Sequence, residues 1–192
     1  MTLVMELIFR PFELDPTIPV EGVDYKAHMK EKFGSDSGRD RANTMRDALI
    51  QYGQEEGIPY QFDRITRRPN SFNAHRLVRW AQGQQKGAEA KEALFKAYFS
   101  DGRDIGETEV LVDIAREINL DPSIVAELMP TDADVENVRN EEALFQQMGI
   151  SGVPTYIAHR RIAVQGAETA EKLAKFLQHA ATQLPEERPA QG

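Results

Sequence analysis

The chain contains no cysteine. That absence removes disulfides and every reaction that runs through a sulfur nucleophile. A thiolate is what attacks a disulfide, and no serine or threonine hydroxyl replaces it in redox exchange. It also leaves cysteine usage silent on the redox compartment. Long apolar runs are missing too: none approaches the roughly 18–20 residues needed to span a bilayer. Histidine is scarce, with four in 192 residues. His28, His75, His159 and His179 show no metal-ligand spacing such as His-x-x-x-His, so no metal and no cofactor is assigned. No Ser-His-Asp spacing suggests a hydrolase. There is no internal repeat and no low-complexity tract. The start, Met1 to Pro11, lacks a basic n-region and a small-residue cleavage site, which reads as no signal peptide and makes the cytoplasm the default.

What is present is ordinary for a soluble globular protein: 41% hydrophobic and 28% charged residues, with a net charge of −8. That charge disfavours nonspecific binding to nucleic acid or anionic lipid, so neither nucleic acid nor membrane is expected as a partner. The length suits one domain of ordinary size or two small ones.

Leu3 to Phe9 reads as a strand, closed by Arg10-Pro11. Pro11, Pro16 and Pro19 punctuate an irregular segment. Asp24 to Phe33 suits a short helix ended by Gly34. From Arg39 to about Glu56, Ala42, Met45, Leu49 and Tyr52 recur at helical spacing, and Gly57-Ile58-Pro59 ends that helix. Tyr60 to Phe62 reads as a short extended piece. Asn70 to Gln82 and Ala88 to Phe99 are amphipathic, with Trp80, Phe95, Tyr98 and Phe99 expected in the core. Thr108 is expected to cap the next helix, and Asp121-Pro122 to open another. Asp132 to Met148 forms a last helix of this block, ended by Gly149. Thr155–Ala158 and Ile162–Val164 read as two strands joined around His159-Arg160-Arg161. A final helix runs from about Glu168 to Thr182, and 184–192 reads as a flexible tail.

The most telling stretch is Gly149-Ile150-Ser151-Gly152-Val153-Pro154-Thr155-Tyr156. A helix ends at glycine, and a short turn delivers Val-Pro-Thr to a strand. Three more segments stand with it in order: Phe9-Arg10-Pro11-Phe12-Glu13-Leu14, Asn73-Ala74-His75-Arg76-Leu77-Val78-Arg79-Trp80-Ala81, and Leu94-Phe95-Lys96-Ala97-Tyr98-Phe99 with Asp104-Ile105. Together with Val164-Gln165-Gly166-Ala167 they resemble the DsbA family, and within it the FrnE-like group of DsbA-like thioredoxin domains, over nearly the whole chain. The resemblance implies an α/β, thioredoxin-like (DsbA-type) sheet with a large helical insertion. Residues 1–23 and 149–183 would form the thioredoxin-like part, and 24–148 the insertion. It also implies a cis Val153–Pro154 bond at a substrate groove.

The family pattern opens on a strand that delivers a Cys-Pro-x-Cys-type motif to a helix. Against that pattern the chain is expected to begin at the family's second strand, with the amino-terminal strand-helix unit missing, and it carries no such cysteine motif. The absent strand would lie between Leu3–Phe9 and Thr155–Ala158, leaving two unpaired edges. The chain is expected to cover them by sliding Leu3–Phe9 into the slot, by pairing with a second copy as a homodimer, or by being a shortened form of a longer protein.

Function follows the same conflict. The resemblance implies a thiol-disulfide oxidoreductase family protein, disulfide isomerase-like in kind, that is redox-inactive as this cysteine-free chain. Two alternatives stand beside it. One is a non-catalytic module that holds an extended peptide or unfolded protein against the Val153–Pro154 edge. The other is a relative of the glutathione-dependent 2-hydroxychromene-2-carboxylate isomerases, whose serine would also lie in the absent segment. An in-frame Cys-x-x-Cys upstream of Met1 would select the first. No catalytic residue is assigned. The substrate-binding candidates are Val153, Pro154 and His75, the last weighed against a bridging role within the helices. Glu13 is expected in a buried Arg–Glu pair with the Arg10-Pro11 motif. Asp132, Asp134, Glu136, Glu141 and Glu142 read as a solvated helix start.

Overall fold

Local signals for helix starts and stops account for most of the architecture. The structure is a computed structural model that describes residues 5–183. Asp24 caps α1 (Tyr25–Lys32), its carboxylate accepting from the Ala27 N–H at 2.7 Å. Ser35 caps α2 (Asp36–Glu56), which Gly57 ends. α3 (Phe72–Gly83), α4 (Gly87–Phe95) and a π-helical turn at Lys96–Ser100 follow. Next come α5 (Thr108–Glu117), α6 (Pro122–Leu128) and α7 (Val135–Gln147). Asp121 caps α6, with Pro122 at its first position, where the missing N–H has no partner to lose. Thr169 caps α8 (Ala170–Thr182).

The chain divides into two compact units. One is Ile8–Glu142; the described part of the other is 5–7 with 143–183. In the larger unit the core is built by α3 to α6. Leu77, Ala81, Ala90, Leu111, Ile114 and Ala115 lose all contact with water. Each fully buried Leu or Ile contributes about 1.5–3 kcal/mol. Gly53 of α2 sits where a Cβ would meet the Ile58 carbonyl and the Tyr60 ring, each at 2.5 Å, so only glycine lets that segment close on the helix. Two residues of β1 (Val23–Asp24) pair antiparallel with β2 (Arg67–Arg68), a contact too short to leave a mark in the sequence.

In the smaller unit β3 (Thr155–Ala158) and β4 (Ile162–Gln165) form an antiparallel hairpin with Tyr156 opposite Val164. Its turn runs through His159 and Arg160, both at positive φ, and the Arg161 N–H donates to the Ala158 carbonyl.

Several expectations need correction. Met5–Phe9 forms no strand, and Leu7 is 61% exposed; Leu3 and Val4 lie outside the described residues. A strand needs a partner for its N–H and C=O groups, and among the described residues none pairs with this segment. Phe62–Arg64 is a 3-10 turn rather than the end of an extended piece. Thr108 is the first helical residue, and Glu107 stands at the cap. Phe95 lies at the surface, while Tyr98 and Phe99 are half-buried. The tail expected at 184–192 lies outside the described residues.

Candidate functional site

The loop into β3 is set by the end of α7. Gly149 takes φ 81, a left-handed conformation that costs glycine little. The Ile150 N–H then returns to the Phe145 carbonyl at 3.0 Å. Thr155 Oγ1 donates to the Gly152 carbonyl at 2.7 Å, closing the turn, and the Val153–Pro154 bond is cis. The Gly166 N–H donates to the Pro154 carbonyl at 2.8 Å. That bond fixes the alternation of an antiparallel ladder. Pro154, Tyr156 and Ala158 turn their backbone groups toward β4. Val153, Thr155 and Ile157 turn theirs the other way. Among the described residues β3 pairs with β4 alone, so this second edge is open. Val153 is 49% exposed beside it, and Pro154 and Ile157 are exposed too.

This hairpin, entered through a cis-proline from a glycine-capped helix, agrees with a sequence match to the DSBA-like thioredoxin domain model over residues 3–178. The chain belongs to that family. It is a cysteine-free member, with the family's α/β thioredoxin-like fold and a helix-dominant insertion. It is 27% identical to a probable DsbA oxidoreductase from Streptomyces coelicolor, with a TM-score of 0.80 over 92% of this chain and 75% of that one. A 2-hydroxychromene-2-carboxylate isomerase shares the fold at 17% identity, with a TM-score of 0.63 over 86% of this chain and 79% of its own. The uncharacterized protein YwbO of Bacillus subtilis strain 168 is 26% identical over 155 residues, covering 80% of this chain and 72% of YwbO.

Val153 and Pro154 stand together in the smaller unit; His75 lies on α3 in the larger one. His75 is a poor ligand for solvent. Its Nε2 is buried without a hydrogen-bond partner among the described residues. Burial pushes its pKa down to about 4, against a smaller upward pull from the Phe12 backbone. The ring is therefore neutral at pH 7.

One position on, Arg76 is 2% exposed. Its guanidinium donates to the carbonyls of Ala133 at 2.9 Å, Met129 at 3.0 Å, Leu128 at 3.1 Å and Thr131 at 2.8 Å. It also donates to Asn73 Oδ1 at 2.9 Å. Met129 stands at the end of α6, so the cation satisfies a carbonyl that a helix terminus leaves free, and it adds to the bonds that the Leu128 carbonyl accepts from Thr131. This role was missed from the sequence. The available signal was an arginine flanked by Ala74 and Leu77 on the apolar face of α3.

The acidic residues before and along α7 are not a solvated face. Asp134 accepts from Arg79 Nε at 2.8 Å, Trp80 Nε1 at 2.9 Å and Asn137 Nδ2 at 2.8 Å. The Asn137 bond first, then those of Arg79 and Trp80, holds its carboxyl below the usual range despite partial burial. Glu141 accepts from Arg79 at 2.8 Å and from Arg10 at 3.1 Å. Glu13 is buried as expected, but its cation is Arg139 on α7, not Arg10. The Glu13 N–H donates to Glu142 at 2.9 Å, and burial, then the Glu13 charge, raises the Glu142 pKa. Asp132 and Glu136 do remain exposed. Glu13, Asp134, Glu141 and Glu142 are committed to arginines, Trp80, Asn137 and backbone, and the described residues contain no cluster that would hold a metal.

Proposed function

We propose that this chain is a redox-silent member of its family that holds an extended polypeptide along the open edge of β3. The observation that carries the reading is the outward set of backbone groups at Val153, Thr155 and Ile157, lying beside exposed apolar side chains. An extended segment adds to such an edge through main-chain hydrogen bonds, with alternate side chains conferring preference. The family's oxidoreductase chemistry stops at the missing sulfur. Insulin reduction by the purified chain is expected to stay at the dithiothreitol blank; turnover above it would refute redox silence.

The edge itself is tested with fluorescently labelled, reduced and carboxymethylated α-lactalbumin, followed by anisotropy. Ile157→Pro removes an N–H that the hairpin does not use, so the hairpin should persist in NMR spectra while binding falls tenfold or more. Ile157→Thr keeps the donor and should bind. Equal binding by the proline variant would place the peptide elsewhere.

A second copy is the other occupant that an observation favours. Met5, Leu7 and Ile8 are exposed and in no strand, and a homodimer would cover them. Light scattering that gives a dimer, together with no binding of the labelled protein, would select it. No helix among the described residues is long and apolar enough to cross a membrane. Residence in the cytoplasm completes the reading, since a chain without cysteine gains nothing from an oxidising compartment; recovery in the cytosolic fraction checks it.

A further inference from the structure

The helical unit carries a cavity that none of the foregoing uses. It lies between α1 and α2 over the Phe62 turn and encloses 540 Å³, within the range of about 300–1,000 Å³ typical of small-molecule sites. Met29 and Phe33 of the first wall face Met45 and Leu49 of the second, with Phe62 beneath. Met45 and Leu49 are 52% and 42% exposed in the chain alone. α2 runs 21 residues with only Gly53 buried, so its apolar positions at 42, 45 and 49 stay partly open to solvent.

The polar lining is one-sided. Lys30, Arg39 and Arg46 border the cavity and no carboxylate does. That is notable in a chain with 31 acidic residues and a net charge of −8. Arg39 and Arg46 each reach one carboxylate, Asp36 and Asp63, whose side chains are 96% and 88% exposed and outside the lining. Such exposed pairs are weak and exchange readily for another anion. Arg46 also lies 5.6 Å from the Phe62 ring centre, which places cationic charge directly above the apolar floor.

We infer that this cavity binds a free long-chain alkyl carboxylate, with the tail along Met29, Met45, Leu49 and Phe62 and the head among Lys30, Arg39 and Arg46. Methionine side chains adapt to a flexible tail. The net negative charge argues against an anionic bilayer as the source.

Calorimetric titration of the full chain with sodium dodecanoate, kept below micelle formation, tests this. Saturable one-to-one binding is expected. Dodecyltrimethylammonium should bind at least tenfold more weakly. Leu49→Glu places a carboxylate in a solvent-accessible wall without touching the core, and should cost tenfold or more in affinity. Arg46→Gln should cost several-fold. Equal binding of the cationic amphiphile, or unchanged binding by Leu49→Glu, would overturn the assignment. So would sedimentation with phosphatidylglycerol vesicles in the absence of dodecanoate binding. A dimer that excludes dodecanoate would give the groove to a second copy instead.

Discussion

Arg76→Ala is expected to lower the unfolding free energy by about 3–4 kcal/mol, seen as a fall in the urea midpoint with little change in slope. The substitution does more than delete a large side chain. It leaves three carbonyls, those of Met129, Thr131 and Ala133, without a donor among the described residues, while the Leu128 carbonyl keeps the Thr131 N–H and hydroxyl. Each buried acceptor stripped of its partner costs about 1–3 kcal/mol, and relaxation of the turn after α6 keeps the sum below the simple total. Arg76→Lys is the sharper experiment. It retains the charge, but an ammonium has three donors at one point and cannot span carbonyls that the planar fork reaches from several sides. Most of the loss should remain. If Arg76→Lys were nearly as stable as the parent, charge near the end of α6 would be the operative factor and the fork geometry would be irrelevant.

Acid should weaken the fold through His75. Its pKa falls from the ordinary 6.5 to about 4 on folding. Between those values the unfolded chain takes a proton that the folded chain refuses, so stability rises with pH across this window. Above 6.5 the histidine is neutral in both states and costs nothing. Below about 4 it is charged in both, and the penalty is complete at roughly 3 kcal/mol. Other shifted groups do not imitate this. Asp134 and Asp15, lowered from 3.8, lose their contribution only below that pH. Glu142 is raised, and so works in the opposite sense by favouring the folded state as pH falls through its folded value. Urea titrations of the parent and of His75→Leu at pH 7 and pH 4.5 should therefore diverge. The parent should lose about 2–3 kcal/mol more than the variant. Equal losses, or a His75 proton resonance that titrates near 6.5, would show the ring to be solvated.

The helices were legible because their ends carry chemistry. Asp24, Asp121, Gly57 and Gly149 each do locally what their residue type suggests, and local effects need no knowledge of the rest of the fold. The β3–β4 hairpin was legible for the same reason, as a short unit with its turn in hand. Met5–Phe9 was not, because an apolar run records a need for burial without saying what pairs with it. The same limit applies to Phe95, Met45 and Leu49, whose helical spacing was plain but whose covering surface does not lie in the helix. Glu13 was read as buried and assigned to a nearby arginine. Its actual cation, Arg139, lies 126 positions away, a distance at which sequence pattern carries no pairing information. Of the site candidates, the Val153–Pro154 geometry came from the resemblance, and the open edge beside it emerged only from the alternation of the hairpin's hydrogen bonds.

The π-helical turn at Lys96–Ser100 bears on how this chain should be lined up with its relatives. There the Asp101 N–H reaches back five positions, to the Lys96 carbonyl at 3.0 Å, so one residue more is accommodated than an α-helical turn would hold. Removing a residue would restore the regular winding while leaving the flanking residues in phase, because the wider turn absorbs the extra residue locally. Chains of this fold with an unbroken helix here should therefore carry a single-residue gap within 96–100, and an alignment that forces this stretch through without one will misassign the aromatic positions Tyr98 and Phe99.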